Sequence, residues 1–348
     1  MMQFFNKQIK KENWGGQFCL SGYDPSIDYL KGVSILWVLM THCIPYPVQD
    51  ALLFSLWGAQ AVPLFFIIQV FHSYKKGFDS VFVSFAKLWK RIIWPFLLTT
   101  IIIYIIYIGY GLMTHVGLVE QTIKFLKAGG AGAGSYYIWI YLQFVLLLPL
   151  IAVFMKRLNL WGNLLLIGVL SELLEIFCCG IHISEWLYRL LFFRYFFLIF
   201  IGYYIVKKQI KFNLPIIFVT LVCATAILVF QYGDVNFEPF FFKSDWKSQH
   251  WVTYGYDLFV IYVLTMVFRK TEKSWTNKLM QLFGRYSYEI FLWQMIYFLL
   301  PIQPLFTKIL GNVVGVVLYV LLSLVVCTIP VLYVKNKKEL IQLWNIKK

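Results

Sequence analysis

The run IDYLKGVSILWVLMTH, residues 27–42, decides how this chain is read. It is apolar enough to enter a bilayer, yet it carries Asp28, Lys31 and His42. A charge near the bilayer centre is costly, so ionisable side chains at that depth face a bundle interior or a watery cavity. At about 100° per residue, the step from Lys31 to His42 makes three turns plus about 20°, which puts both on one face about 16 Å apart along the axis. Asp28 lies one turn before Lys31 on nearly the same line.

The rest of the chain agrees with a membrane setting. Its 348 residues are 60% hydrophobic and only 14% charged, with a mean hydropathy of +0.72, well beyond a soluble domain. Stretches of about 20 apolar residues predict about ten spans, at 27–45, 51–72, 92–113, 136–155, 162–181, 190–206, 214–231, 252–268, 286–303 and 311–334. The fold class expected is therefore all-α, a polytopic integral membrane protein, because each span must satisfy its own backbone and the runs are too long for barrel strands. The organisation expected is a cytoplasmic N-terminal segment over 1–26, one membrane domain over 27–334 and a basic cytoplasmic tail over 335–348, with no repeat and no second domain.

The net charge of +15 is explained by topology and not by nucleic acid. With a cytoplasmic N-terminus, most of the 31 Lys and Arg fall on the inner side. Only Lys124, Lys127, Arg189, Lys243, Lys247 and Lys308 fall on the outer side, a positive-inside pattern that makes both termini cytoplasmic. Basic residues spread over short segments form no folded nucleic-acid patch. The first 26 residues have no apolar core or cleavage site of a secretory signal. The six cysteines, Cys19, Cys43, Cys178, Cys179, Cys223 and Cys327, show no CxxC spacing, so neither a metal site nor a disulfide framework is read.

Histidine can take a proton from a hydroxyl near neutral pH, which makes His42 the best general base in the chain. Alone, it would equally suit an interfacial histidine, but Lys31 and Asp28 share its face. His72, His115, His182 and His250 fall at span ends or in loops, where solvated or capping roles are expected. In the fifth span Glu172 and Glu175 lie one turn apart, and the sixth opens with Arg189 and Arg194. Ion pairing between these helices and a cationic pocket for an anionic donor or acidic sugar are the two readings. Glu289 and Arg91 flank spans on the cytoplasmic side, as anchors or as site residues. Tyr136, Tyr137, Trp139 and Tyr141 at the start of the fourth span read as an aromatic belt or as a sugar platform. The glycine-rich AGGAGAGSYY, residues 128–137, lacks the Lys-Ser or Lys-Thr of a phosphate loop.

These residues together resemble the membrane acyltransferase family 3, bacterial enzymes that O-acylate cell-surface polysaccharides and related sugars. The first span is similar to the family signature of a basic residue, ten residues, then His, here Lys31 through His42, with Asp28 before and Gly32 after. VPLFFIIQVF at 62–71, KLWKRIIWP at 87–95, YYIWIYLQ at 136–143, the Arg-rich start of the sixth span and FGRYSYEIFLWQ at 283–294 continue it. Gln69 and Val70 stand where the family often has Ser-Gly, and Gln294 where it often has His.

The resemblance implies acyl transfer from a coenzyme A thioester, acetyl by default, to a hydroxyl of a surface or lipid-linked glycan. No cofactor is permanently bound, and acyl-CoA, the glycan and the bilayer are the partners, in a bacterial inner (plasma) membrane. His42 would be the base, with Asp28, Lys31 and Arg91 near the donor. Glu172, Glu175, Arg194, Tyr137, Trp139 and Glu289 would shape the substrate pocket. The competing class is a proton-coupled secondary transporter or exporter of an anionic or sugar-like solute, in which His42 and the glutamates relay protons.

Overall fold

The first helix, α1 (Pro25–Cys43), starts where the Asp24 side chain accepts from the Ser26 amide at 3.0 Å and Pro25 presets the first turn. It stops at Ile44, before Pro45. The next helix, α2 (Tyr46–Ala51), supplies Gln49, whose Nε2 donates to the carbonyls of Thr41 and Ile44 at 3.0 and 2.6 Å. Carbonyls at a helix end otherwise lack partners, so this side chain fixes the last turn of α1, where His42 sits.

This computed structural model describes residues 23–76, 87–113, 117–127, 129–130, 132–207, 213–233, 236–242, 246–300 and 302–345. Residues 1–22 of the N-terminal segment, Cys19, His115, Lys243 and residues 346–348 of the tail lie outside the described residues. The remaining α-helices are α3 (Ala61–Lys76), α4 (Trp94–Met113), α5 (Leu118–Lys127), α6 (Tyr136–Met155), α7 (Leu160–Gly180), α8 (Glu185–Leu190), α9 (Leu198–Val206), α10 (Leu214–Tyr232), α11 (Tyr256–Lys270), α12 (Trp275–Arg285), α13 (Ser287–Tyr297), α14 (Ile302–Leu310) and α15 (Asn312–Asn345). There is no strand among the described residues. The chain is an all-helical, polytopic membrane protein.

The bundle is arranged around α1, which packs on α3, α11, α12, α13 and α15. Its tightest crossing is with α12. A Cβ on Gly32 would collide with the Met280 carbonyl, and one on Gly284 with the Asp28 carbonyl. Two backbones in contact through paired glycines leave no room for adjustment, so the crossing sets where the Asp28 to Lys31 turn lies.

Among the described residues, six segments are long and apolar enough to cross a membrane: Phe54–Lys75, Trp89–Gly109, Tyr136–Met155, Leu160–Gly180, Leu214–Tyr232 and Val313–Lys337. A seventh is added if α13 and α14, bent by 69°, count as one. Among the described residues, length and composition thus account for six or seven of the ten expected spans. The difference lies at the centre of the bundle. Helix α9 has only 9 residues and α11 only 15, and α1 is long enough but too polar. A helix enclosed by protein does not need the length or uniform apolarity that lipid demands. Every residue from Leu198 to Ile205 is buried. By contrast, the apolar windows of Trp89–Gly109 and Leu214–Tyr232 are only 17% buried, against 72% for Phe54–Lys75. The first two lie on the outside of the bundle, and the third is inside.

Candidate active site

A single cavity of about 580 Å³ runs beside α1. Along α1 it is lined by Lys31, Ile35, Val38 and His42, successive positions on one helical face. Opposite them lie Phe65, Gln69 and His72 of α3 and Tyr137 and Tyr141 of α6. Arg189 of α8 and Trp246 complete the wall. Two of the ionisable residues in the opening run are thus joined by one continuous space.

At one end, the Lys31 ammonium donates to Asp28 Oδ1 at 2.8 Å, while the Tyr23 hydroxyl donates to Oδ2 at 2.6 Å. The Arg285 guanidinium stands 4.0 Å from the same oxygen. Burial, followed by the Asp28 carboxylate, holds the Tyr23 phenol above its ordinary range, which keeps it a donor. Asp28 is therefore behind the cavity wall and orients Lys31, which faces the space. His72 also opens onto this region, within electrostatic reach of Lys31 and Asp28. Arg91, in a π-helical turn over Trp89–Ile93, is exposed and within electrostatic reach of Tyr141.

At the other end, the half-buried His42 ring lies 5.4 Å from the ring of Phe298. Among the described residues its imidazole makes no hydrogen bond and no ion pair, so neither nitrogen is committed to a protein partner. No carboxylate among the described residues orients it. The charge that reaches it is the Arg189 guanidinium, which stacks over Trp246 at 4.7 Å and Tyr136 at 5.8 Å. A neutral imidazole has one accepting nitrogen, and here both ring nitrogens are left to whatever enters the cavity.

Of the other residues singled out from sequence, Gln69, His72, Tyr136, Tyr137, Tyr141 and Arg189 line the cavity, whereas Glu172, Glu175, Arg194, Trp139 and Glu289 do not. The expected pairing of Glu172 and Glu175 with the arginines is not what the structure contains. Glu172 accepts from Trp251 Nε1 at 2.8 Å. Glu175 accepts from the Tyr188 hydroxyl at 2.6 Å and the Phe242 amide at 3.1 Å. Arg194 is 1% exposed and caged by rings, with its guanidinium 4.1 Å from Trp246, 5.1 Å from Tyr195 and 5.3 Å from Tyr188. Neutral aromatic donors and ring faces do the work expected of opposite charge, and cation–π contacts of this kind are worth up to about 2 kcal/mol when desolvated. Trp139 donates to the Gly129 carbonyl at 2.6 Å and faces away from the cavity. Glu289 pairs with Lys335 at 3.3 Å, also outside it. Gln69, one of the departures from the family pattern, donates to the Tyr141 carbonyl at 3.1 Å and lines the cavity; Gln294 is fully buried away from it.

Sequence reasoning passed over His72 and Arg285 as site residues, and weighed Arg189 only with Arg194, as an ion-pair partner or part of a cationic pocket. His72 follows Phe65 and Gln69 at helical spacing on α3, a signal that could have found it. The positions of Arg189 and Arg285 depend on which helices meet, and no local pattern carries that.

Among the described residues no cluster of three or more His, Cys, Asp or Glu could hold a metal ion, and the five described cysteines are free thiols. A helical membrane bundle with a half-buried histidine and a cation along one cavity is the arrangement an intramembrane transferase or carrier would need. A model of the acyltransferase domain, acyltransferase family 3, matches residues 24–332, nearly the whole chain, and the protein belongs to that family. It is a membrane acyltransferase. No curated protein and no solved structure matches the chain.

Proposed function

We propose that the protein moves an acyl group, acetyl by default, from a coenzyme A thioester to a sugar hydroxyl, with His42 as general base. The observation that carries this reading is the cavity shared by Lys31 and His42. A phosphopantetheine arm extends on the same scale as their separation of about 16 Å. Donor phosphates would rest at the basic end, by Lys31, Arg285 and Arg91, while the thioester reaches the imidazole. His42 takes the proton of the acceptor hydroxyl as its oxygen attacks the thioester carbonyl carbon. The C–S bond then breaks, and the departing thiolate takes the proton back from the imidazolium.

With ten spans, the positive-inside pattern supports an orientation in which the Lys31 end and both termini face the cytoplasm, in a bacterial inner membrane. The acceptor is a surface or lipid-linked glycan. Radiolabelled acetyl-CoA supplied to membrane vesicles tests the direction. Label is expected in the glycan fraction of inside-out vesicles carrying the protein and not of sealed right-side-out ones. Equal labelling in both, or solute uptake by the purified protein without any thioester, would overturn the reading in favour of the wrong face or of a transporter.

A further inference from the structure

Acyl transfer at His42 has to pass through a negatively charged oxygen. When a hydroxyl oxygen adds to a thioester carbonyl, an electron pair moves onto the carbonyl oxygen, and a site lowers that barrier by holding donors against it. His42 is occupied with the hydroxyl proton in this step. Several side-chain donors of the surrounding wall are already spent. The Thr41 hydroxyl donates to the Trp37 carbonyl at 2.8 Å, and Gln49 Nε2 donates to the carbonyls of Thr41 and Ile44. Gln249 Nε2 donates to the Ala59 carbonyl at 2.9 Å.

The cations differ in where they stand. Lys31 is about 16 Å away along α1 and is tied to Asp28. Arg194 is sealed among rings and does not line the cavity. Arg189 lines the same cavity as His42 and its charge reaches the imidazole, whereas those of Asp50 and Glu185, carboxylates of the same wall, do not. Among the described residues Arg189 makes no hydrogen bond and no ion pair, so its N–H donors are unspent. Ring faces hold its guanidinium instead, Trp246 at 4.7 Å and Tyr136 at 5.8 Å. The backbone beside it is braced by Gln143, whose Nε2 donates to the Leu190 carbonyl at 2.6 Å and whose Oε1 accepts from the Phe192 amide at 3.1 Å. A cation held in this way is in place before charge develops, and needs no reorganisation when it does.

We propose that Arg189 is a catalytic residue, its guanidinium donating to the oxyanion that forms as the acceptor oxygen adds to the thioester beside His42. The C–O bond forms, the carbonyl pair moves to the oxygen facing Arg189, and His42 takes the hydroxyl proton. The pair then returns, the C–S bond breaks, and the thiolate takes the proton from the imidazolium. Arg189 ends the cycle unchanged. The proposal rests on the acyltransferase reading and adds to it the positive charge at the reacting end. Its effect belongs to turnover, because the donor phosphates lie at the Lys31 end.

Steady-state transfer from labelled acetyl-CoA by the purified full chain tests it. Arg189→Ala should lower kcat about 10²–10³-fold, the effect of removing one oxyanion donor. KM for acetyl-CoA and for the acceptor should stay within about threefold, since the interaction is made only in the transition state. Added guanidinium ion, at a concentration that leaves thermal unfolding unchanged, should restore part of the lost turnover. Arg189→Lys, which keeps the charge but not the planar fork, should fall between the two. Unchanged kcat in Arg189→Ala, or a loss carried by KM for either substrate, would overturn the proposal. So would a kcat loss that neither guanidinium ion nor Arg189→Lys relieves, since that marks a structural role. No transfer by the unchanged protein would sink the acyltransferase reading itself, whereas an active protein indifferent to Arg189→Ala would sink this assignment alone.

Discussion

Two groups of ionisable side chains lie inside this bundle, and they are held in opposite ways. Glu172, Glu175 and Arg194 are locked: each glutamate has a short hydrogen bond from an aromatic side chain, and the arginine is surrounded by rings. On α1, Asp28 locks Lys31, but Lys31 still faces a cavity and His42 faces it with no hydrogen-bond or ion-pair partner among the described residues. Depth alone therefore does not distinguish chemistry from architecture, since both groups meet the expectation that intramembrane charge is special. The difference is the open space on one side and enclosing aromatic side chains on the other.

The sharpest way to break this comparison is His42→Ala. Loss of a general base lowers turnover by about 10²–10⁴-fold, and thermal unfolding of the purified protein is expected to stay unchanged because no hydrogen bond is lost. Gly284→Leu attacks the frame that positions the α1 site. With the Asp28 carbonyl already where its side chain must go, folded yield on size exclusion should collapse, and activity with it. Lys31→Gln should act on the donor. KM for acyl-CoA is expected to rise about tenfold, as loss of a charge-assisted phosphate contact would give, with a smaller change in kcat.

The locked group should answer differently. Glu175→Gln weakens its bonds from Tyr188 and Phe242 and is expected to lower stability by about 1–3 kcal/mol, seen as a lower melting temperature, while turnover per folded molecule is retained. Smallest of all, Glu289→Gln removes a part-exposed pair with Lys335. Such pairs contribute about 0–1 kcal/mol, so unfolding and transfer should both stay close to those of the unchanged protein.

Much of the α1 side was legible in the sequence, because helical spacing alone puts Lys31 and His42 on one face and a short side-chain bond ties Asp28 to Lys31 within a turn. The helical membrane class was legible for a similar reason: apolar runs are local. What was not legible came from contacts distant in the chain. Glu175 is answered by Phe242, Glu172 by Trp251 and Arg194 by Trp246, each from the loop after α10, and no periodicity announces an aromatic cage. The spans expected at α9 and α11 are shorter than a lipid-facing helix needs to be. The shortness of α9 is allowed by neighbours that keep lipid away, and neighbours are a tertiary property.

Acyl transfer from labelled acetyl-CoA by purified His42→Ala and Glu175→Gln proteins, compared at equal amounts of folded material, puts the two regions in one experiment. The expected result is a loss of at least about a hundredfold for His42→Ala, with Glu175→Gln close to the unchanged protein once its lower stability is allowed for. Undiminished transfer by His42→Ala, or a loss confined to Glu175→Gln, would contradict the assignment of the chemistry to the open end of α1.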